Sequence, residues 1–170
     1  MKTKSKKLTL AWIVPALALA LLVVLSTALA GPARDPVVGS GSSSAINEYQ
    51  FAGSATLVIR DVEKSTLDSP EGLLVTLLDP PRIRDDGVQH VVATHTFTFA
   101  VGSISTSDKE IAEPTDTPGL YTLNANMKIV SGTGVYEGVS GHLTAHGTID
   151  FRPLPVPAAE FEIRGSISHR

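Results

Sequence analysis

Residues 128–151, KIVSGTGVYEGVSGHLTAHGTIDF, join a glycine-rich segment to a run of alternating side chains. From Leu143 to Phe151 every second residue is apolar or small, and histidine, threonine and aspartate lie between them. A period of two is that of a β-strand with one buried face. Four glycines within ten residues supply the backbone conformations and close approaches that a tight turn needs. The stretch therefore predicts a strand, a hairpin and a second strand.

Similar alternation recurs along the chain and predicts seven or eight strands. No segment has a convincing helical period, and turn residues interrupt the alternation at short intervals. Residues 108–118 are acidic and contain two prolines, so they are predicted to form a surface loop. The expected fold is all-β, an antiparallel barrel or sandwich, and a barrel of about eight strands can hold one small ligand. The predicted strands cover residues 49–60, 71–78, 88–101, 103–107, 119–130, 141–151 and 160–168.

The first 30 residues contain the three parts of a secretory signal peptide. Four lysines lie within the first seven residues, an apolar run extends from Leu8 to Leu25, and residues 27–30 (TALA) form an A-x-A cleavage signal. We predict cleavage after Ala30 and a secreted or extracytoplasmic protein. The alternative is an uncleaved helix that anchors the chain, because the run reaches the roughly 18–20 residues that span a bilayer. Contact with a membrane is expected only through this leader, if it stays uncleaved.

Composition limits the partners of the remaining chain. Cleavage removes four lysines and no acid, so the formal charge moves from −3 to −7. This balance disfavours nucleic acid and anionic membrane surfaces, which are bound through clustered Lys and Arg. The chain has no cysteine, which excludes disulfides, thiolate metal sites and a cysteine nucleophile. Residues 31–47 are rich in Gly, Ser and Pro and are predicted to be a flexible linker, with the barrel domain at 48–168.

The hairpin GTGVYEGVSG, followed by HLTAHGTIDF, resembles the glycine-rich hairpin of the allene oxide cyclase and dirigent-like barrels. In that family a G-G-T-G-aromatic-x-G-a-x-G stretch joins two late strands, and here Ser131 stands where a glycine is common. The segment at 97–108, FTFAVGSISTSD, is similar to an earlier strand pair of such proteins. The resemblance implies a calycin-like eight-stranded antiparallel barrel with an apolar cavity, and in some members cyclisation or stereochemical control of a reactive apolar substrate. Comparable hairpin positions are occupied by Gly132, Thr133, Gly134, Tyr136, Gly138 and Gly141.

The histidines do not predict a metal site. His142 and His146 share a strand face but lie about 13 Å apart, at roughly 3.3 Å per residue. One ion binds its ligands at about 2 Å, so it cannot join them. His90 and His95 point to opposite faces, so only cross-strand pairing would assemble a site, and we predict no metal. Nucleotide-binding glycine motifs and the hydrolase nucleophile elbow are absent from the sequence, and no cofactor is expected.

The candidate site lies on the inward faces of the predicted barrel. His95 follows Ala93 and precedes Phe97 on one apolar face, and Tyr49 and Tyr121 are the other polar-tipped residues on inward faces. We interpret His95, Tyr121 and Tyr49 as candidate catalytic groups, because a buried neutral histidine can act as a base. The alternative is a core histidine hydrogen-bonded to a neighbour. The residues predicted to line a ligand cavity are Phe51, Phe97, Phe99, Leu123 and Met127.

Three functions remain open for such a barrel. The first is a secreted module that binds an apolar small molecule in its lumen. The second is a cyclase or isomerase without metal or nucleotide, whose cavity holds a flexible substrate near its reactive shape. The third is a structural or surface-interaction domain with a filled interior. Glu48 and Asp150, near strand ends, are candidate acids at the mouth of the barrel.

Overall fold

The computed structural model describes residues 34–61, 66–68, 71–152 and 156–168. The predicted signal peptide lies outside these ranges. Every regular element within them is a β-strand, and none of the described residues forms a helix long and apolar enough to cross a membrane. The strands are β1 (Asp35–Asn47), β2 (Gln50–Asp61), β3 (Thr66–Asp68), β4 (Glu71–Leu78), β5 (Arg82–Ile83), β6 (Gln89–Phe99), β7 (Gly102–Pro114), β8 (Leu120–Gly134), β9 (Ser140–Asp150) and β10 (Ala158–Ser168).

Eight of these strands form one closed antiparallel ring. The order of hydrogen-bonded neighbours is β1, β10, β9, β8, β7, β6, β4 and β2, and β2 pairs back with β1. The short strands β3 and β5 pair antiparallel with the ends of β2 and β6. Over the described residues the structure confirms the predicted all-β, eight-stranded antiparallel barrel. Closure turns one face of every strand towards a common interior.

Strand β1 occupies most of the stretch predicted to be a flexible linker, so that prediction is wrong from Asp35 to Asn47. Ten residues of β1 pair with β10 and ten with β2, so both of its edges are hydrogen-bonded. Its small side chains provide space for neighbouring ones: a Cβ added at Gly41 would lie 2.6 Å from the ring of Phe161. A composition typical of linkers therefore permits close packing here, and the barrel begins at β1.

Strand β7 continues to Pro114, so the predicted surface loop is wrong over residues 108–114. Its backbone pairs with both β6 and β8 along this part. Buried and exposed side chains alternate, with Thr106, Asp108 and Glu110 inside and Lys109 outside. The strand order thus places two acidic side chains in the interior of the barrel. Charge alone predicts the surface for them, and their burial depends on the polar partners described below.

The glycine-rich hairpin between β8 and β9 closes one end of the barrel. Tyr136 is 3% exposed and packs edge-on against Phe99, with ring centroids 5.7 Å apart. Gly134 has φ of +62°, a conformation that favours glycine, and a Cβ at Gly132 would lie 2.1 Å from the carbonyl oxygen of Tyr136. The hairpin therefore has a packing role, since it folds a large aromatic side chain over the core. Buried side chains at this end include Phe97, Phe99, Ile104, Ile129, Tyr136 and Val139.

Replacing Gly132 by alanine is expected to lower the free energy of unfolding by about 2 kcal/mol or more, because the backbone of the hairpin must shift. Gly138 is the matched control, since it has φ of +75° but nothing within 4 Å of an added Cβ. There alanine should cost about 1 kcal/mol from backbone conformation alone. Urea unfolding of both variants measures which substitution lowers the free energy of unfolding more. A larger loss for Gly138→Ala than for Gly132→Ala would contradict the packing role.

Candidate functional site

A cluster of three ionisable side chains lies inside the barrel wall on two adjacent strands. His95 projects from β6, and Asp108 and Glu110 project from β7. In the register of these strands His95 lies opposite Thr106, so the two acids come next along the same inward face. All three are buried, at 8%, 1% and 7% exposure. We refer to His95, Asp108 and Glu110 as the polar cluster.

The imidazole of His95 lies between the two carboxylates. Its Nδ1 is 2.5 Å from Oδ2 of Asp108, and its Nε2 is 3.6 Å from Oε1 of Glu110. Thr106 also donates a hydrogen bond from Oγ1 to Oδ2 of Asp108, at 3.0 Å. A carboxylate only accepts, so the proton of the short contact is assigned to Nδ1. The contact orients the ring, and Glu110 lies near its other nitrogen.

Asp108 keeps one oxygen without a hydrogen bond. Its Oδ1 is buried and has no hydrogen-bond partner among the described residues. Buried carboxylate oxygens are normally hydrogen-bonded, because water is no longer available to them. The cluster therefore retains an acceptor for which the described chain supplies no donor.

Burial raises the pKa of Glu110 above its ordinary value of 4.5. Loss of solvation is the main cause, the imidazole of His95 acts in the opposite direction, and the charge of Asp108 adds to the increase. Desolvation disfavours the charged form of any buried carboxyl group. Glu110 consequently holds its proton to a higher pH than an exposed glutamate does, and it can present a neutral carboxyl.

A cavity of about 200 Å³ lies on the far side of the polar cluster from the glycine hairpin, and it is partly enclosed. Glu110 is the one member of the cluster in its wall. Glu48 and Tyr49 lie at its mouth in the turn between β1 and β2, where Tyr49 Oη donates a hydrogen bond to Glu48 Oε1 at 2.9 Å. The other lining residues are mainly apolar: Phe51, Leu78, Pro81, Gln89, Val91, Ala112, Leu123, Ile149 and Phe151.

A larger depression of about 730 Å³ involves β1, β2, β9 and β10. It is widely open, and most of its lining consists of glycine and outward-facing polar side chains, including His146, Glu160 and Glu162. Judged by volume alone, this depression would be the candidate binding site. Enclosure, apolar lining and contact with a buried carboxyl favour the smaller cavity, which we take as the candidate binding site.

The structure places only some of the predicted lining residues at the cavity. Phe51 and Leu123 are in its wall. Phe97, Phe99 and Met127 are buried in the packed core and do not line this cavity. The core fills one end of the barrel, and the cavity occupies the other.

The three predicted catalytic residues are not brought together. His95 is buried as predicted, but Tyr49 is 38% exposed, because it lies in a turn and not in the strand assigned to it. Tyr121 packs on Phe151, with ring centroids 5.5 Å apart. It is eight residues along β8 from Ile129, which is level with His95, or about 26 Å along the strand. Their catalytic roles stay predictions.

Asp150, a predicted acid at the mouth, is instead held in a surface ion pair. Its Oδ2 lies 2.6 Å from Nη2 of Arg152. The hydrogen bonds from Arg152 lower the pKa of Asp150 to about 2. An acid with so low a pKa is a poor proton donor near neutral pH.

The sequence analysis missed Asp108 and Glu110. The available signal was the two-residue alternation of the strand. Counting in steps of two from the apolar Ile104 gives Thr106, Asp108, Glu110 and Ala112, all of which are buried. Three consecutive polar residues in such a series normally indicate a solvated face. Only the pairing of β7 with β6, which carries His95, reveals why the acids face inward.

Comparisons with known proteins add little to this geometry. No protein-family model matches the chain, and no curated protein sequence matches it. Among solved structures, this structure is similar to the structure of a pterocarpan synthase dirigent protein, at 13% sequence identity and a TM-score of 0.37. The match covers 85% of this chain and 96% of that one. We base no functional conclusion on a match of this strength.

Replacing Glu110 by glutamine is expected to raise the melting temperature at pH 8, by roughly 2–5 °C, and to leave it nearly unchanged at pH 4. The raised pKa means that the stabilisation by protonated Glu110 is complete below its unfolded-state pKa and is lost as the pH rises through the folded-state pKa. Glutamine is neutral at both values. Thermal unfolding in the presence of a chelator provides the measurement.

Glu113→Gln is the matched control, because Glu113 is exposed on the same strand. It should leave the melting temperature unchanged at both pH values. The titratable groups that act on Glu110 are His95 and Asp108, and Glu48 and Tyr49 line the same cavity. A Glu110→Gln variant that is less stable than the wild type at pH 8 would contradict a buried carboxyl penalised by desolvation.

Proposed function

We propose that the protein binds a small apolar molecule in the cavity at the open end of its barrel, with Glu110 as the polar anchor. The observation that carries this proposal is the partly enclosed cavity of about 200 Å³, whose wall is mostly apolar and contains one buried carboxyl group. Ligand sites typically combine an apolar lining with a few placed polar groups.

The size of the cavity limits the ligand. Drug-sized sites occupy about 300–1,000 Å³, so the ligand is smaller than these or extends through the mouth. Each Å² of apolar surface that leaves water contributes roughly 25 cal/mol. The affinity therefore comes mainly from contact with side chains such as Phe51, Leu123 and Ile149.

The polar groups limit the chemistry of the ligand. Glu110 can donate a hydrogen bond from its neutral carboxyl or accept one when ionised. Glu48 adds a second acid at the mouth. An anionic ligand is disfavoured by both, so we propose a neutral molecule with a carbonyl or hydroxyl at one end. The signal-like first 30 residues support the further proposal that binding occurs outside the cytoplasm.

A second candidate function is an isomerase or cyclase of the allene oxide cyclase type. One observation favours it: Glu110, which could exchange a proton with a substrate, lies in the cavity wall, and its Oε1 is 3.6 Å from Nε2 of His95 behind it. Mass spectrometry of a compound that copurifies with the protein separates the two functions. An altered product on incubation with wild-type protein, but not with His95→Asn, would indicate turnover, and an unaltered compound would indicate binding alone.

Ala112→Phe is expected to weaken binding of the neutral fluorescent probe N-phenyl-1-naphthylamine at least tenfold, because the added ring fills the cavity that Ala112 lines. Ile111→Phe is the matched control, since Ile111 directly precedes Ala112 on β7 and faces the other side of the sheet. Its affinity should equal that of the wild type. Fluorescence titration measures both, with circular dichroism to verify folding.

Two results would contradict the binding proposal. One is absence of probe binding by folded wild-type protein. The other is equal loss of affinity in Ala112→Phe and Ile111→Phe, which would place the probe outside the cavity.

A further inference from the structure

We infer that the polar cluster is a binding site for one divalent metal ion. His95, Asp108 and Glu110 each offer a ligand atom, and these atoms lie within 4.8 Å of one another. The inference rests on the cluster itself and does not depend on the apolar ligand proposed above. It assigns a function to the buried carboxylate of Asp108, which does not line the cavity.

The spacing fits a single ion. Two ligands that each bind one ion at about 2.1 Å are at most about 4.2 Å apart. Nε2 of His95 and Oε1 of Glu110 are 3.6 Å apart, within that limit. The widest separation among the three ligand atoms is at most 4.8 Å, and ligands at about 2.1 Å in a tetrahedral site are about 3.4 Å apart, so this pair would close by up to about 1.4 Å to complete the site.

A second observation points to a ligand independently of the cluster's composition. Oδ1 of Asp108 has no hydrogen-bond partner within the described part of the chain, and the side chain of Asp108 is 0% exposed. A cation beside it would satisfy this oxygen. Thr106 and His95 meanwhile occupy Oδ2, so the carboxylate is fixed in orientation.

The orientation of His95 suits a metal ligand. Its Nδ1 lies 2.5 Å from Oδ2 of Asp108 and its Nε2 lies 3.6 Å from Oε1 of Glu110, so both carboxylates approach the ring. A strand pair inside a closed barrel also holds these side chains on a rigid support.

Charge and donor type identify the class of ion. Once Glu110 has lost its proton, a neutral imidazole and two carboxylates carry a charge of −2, which a divalent cation compensates in a buried site. One nitrogen and two carboxylate oxygens, without thiolate, suit Zn²⁺ or Mn²⁺ better than soft ions. Three protein ligands leave a coordination position open, as in catalytic zinc sites, and Glu110 in the cavity wall places the site beside the cavity.

The test uses purified, tag-free protein that has been stripped of metal with a chelator. Zn²⁺ is titrated by calorimetry, and Co²⁺ is titrated by visible absorption as a spectroscopic probe. We expect one ion per chain and ligand-field bands with Co²⁺. His95→Gln, Asp108→Asn and Glu110→Gln should each weaken binding at least about tenfold.

The matched controls are His142→Gln and His146→Gln, which remove exposed histidines from β9. Both should bind Zn²⁺ as the wild type does. Absence of binding by the folded wild-type protein would overturn the site. Unchanged affinity in Asp108→Asn, or an equal loss in the His142 and His146 variants, would also overturn it. If the cluster variants fail to fold, the wild-type Co²⁺ spectrum decides, because a surface site of water and carboxylates gives only weak octahedral bands.

Titration of the same metal-free protein with N-phenyl-1-naphthylamine distinguishes failure of this inference from failure of the binding proposal. Probe binding without Zn²⁺ binding overturns the metal site and leaves the apolar cavity intact. Zn²⁺ binding without probe binding supports the metal site and removes the proposed ligand.

Discussion

The hydrogen bonds that β1 makes along both of its edges determine the rest of the structure. They join β2 to β10 and convert an open sheet into a ring. In an open sheet the inward faces of the edge strands would remain partly exposed to water. Acidic side chains on those faces would then be solvated and not buried. Closure gives all eight strands one shared interior, and the small side chains of β1 allow Leu57 and Phe161 to occupy it.

The interior is divided along its length. The glycine hairpin folds Tyr136 onto Phe99 and leaves the core at that end filled with large side chains. The opposite end keeps a cavity with apolar walls. The polar cluster lies between the two, where one of its members reaches the cavity and the others are enclosed. This division leaves a buried histidine and two buried carboxylates next to a cavity. It is the feature of the fold on which the proposed chemistry depends.

The sequence predicts the strands well where one face is apolar and the other polar. β6, β8, β9 and β10 follow this alternation, and their existence and antiparallel pairing could be expected from it. β1 could not, because its side chains are nearly all small and hydrophobicity carries no period there. The second half of β7 was missed for a different reason: Asp108 and Glu110 occupy positions at which the pattern demands apolar residues. The site was therefore predicted only as far as His95, since its partners become visible only when the pairing of β6 with β7 is known.

The most direct test of this account is the direction of the side chains along β7, and the absence of native cysteine makes it simple. Single cysteines would be introduced at each position from Thr106 to Ile111, and their rates of reaction with a thiol reagent measured in the folded protein. The account predicts an alternation, with slow labelling at 106, 108 and 110 and fast labelling at 107, 109 and 111. Uniformly fast labelling from position 108 onward would mean an exposed loop, and neither the buried cluster nor the site built on it would survive that result.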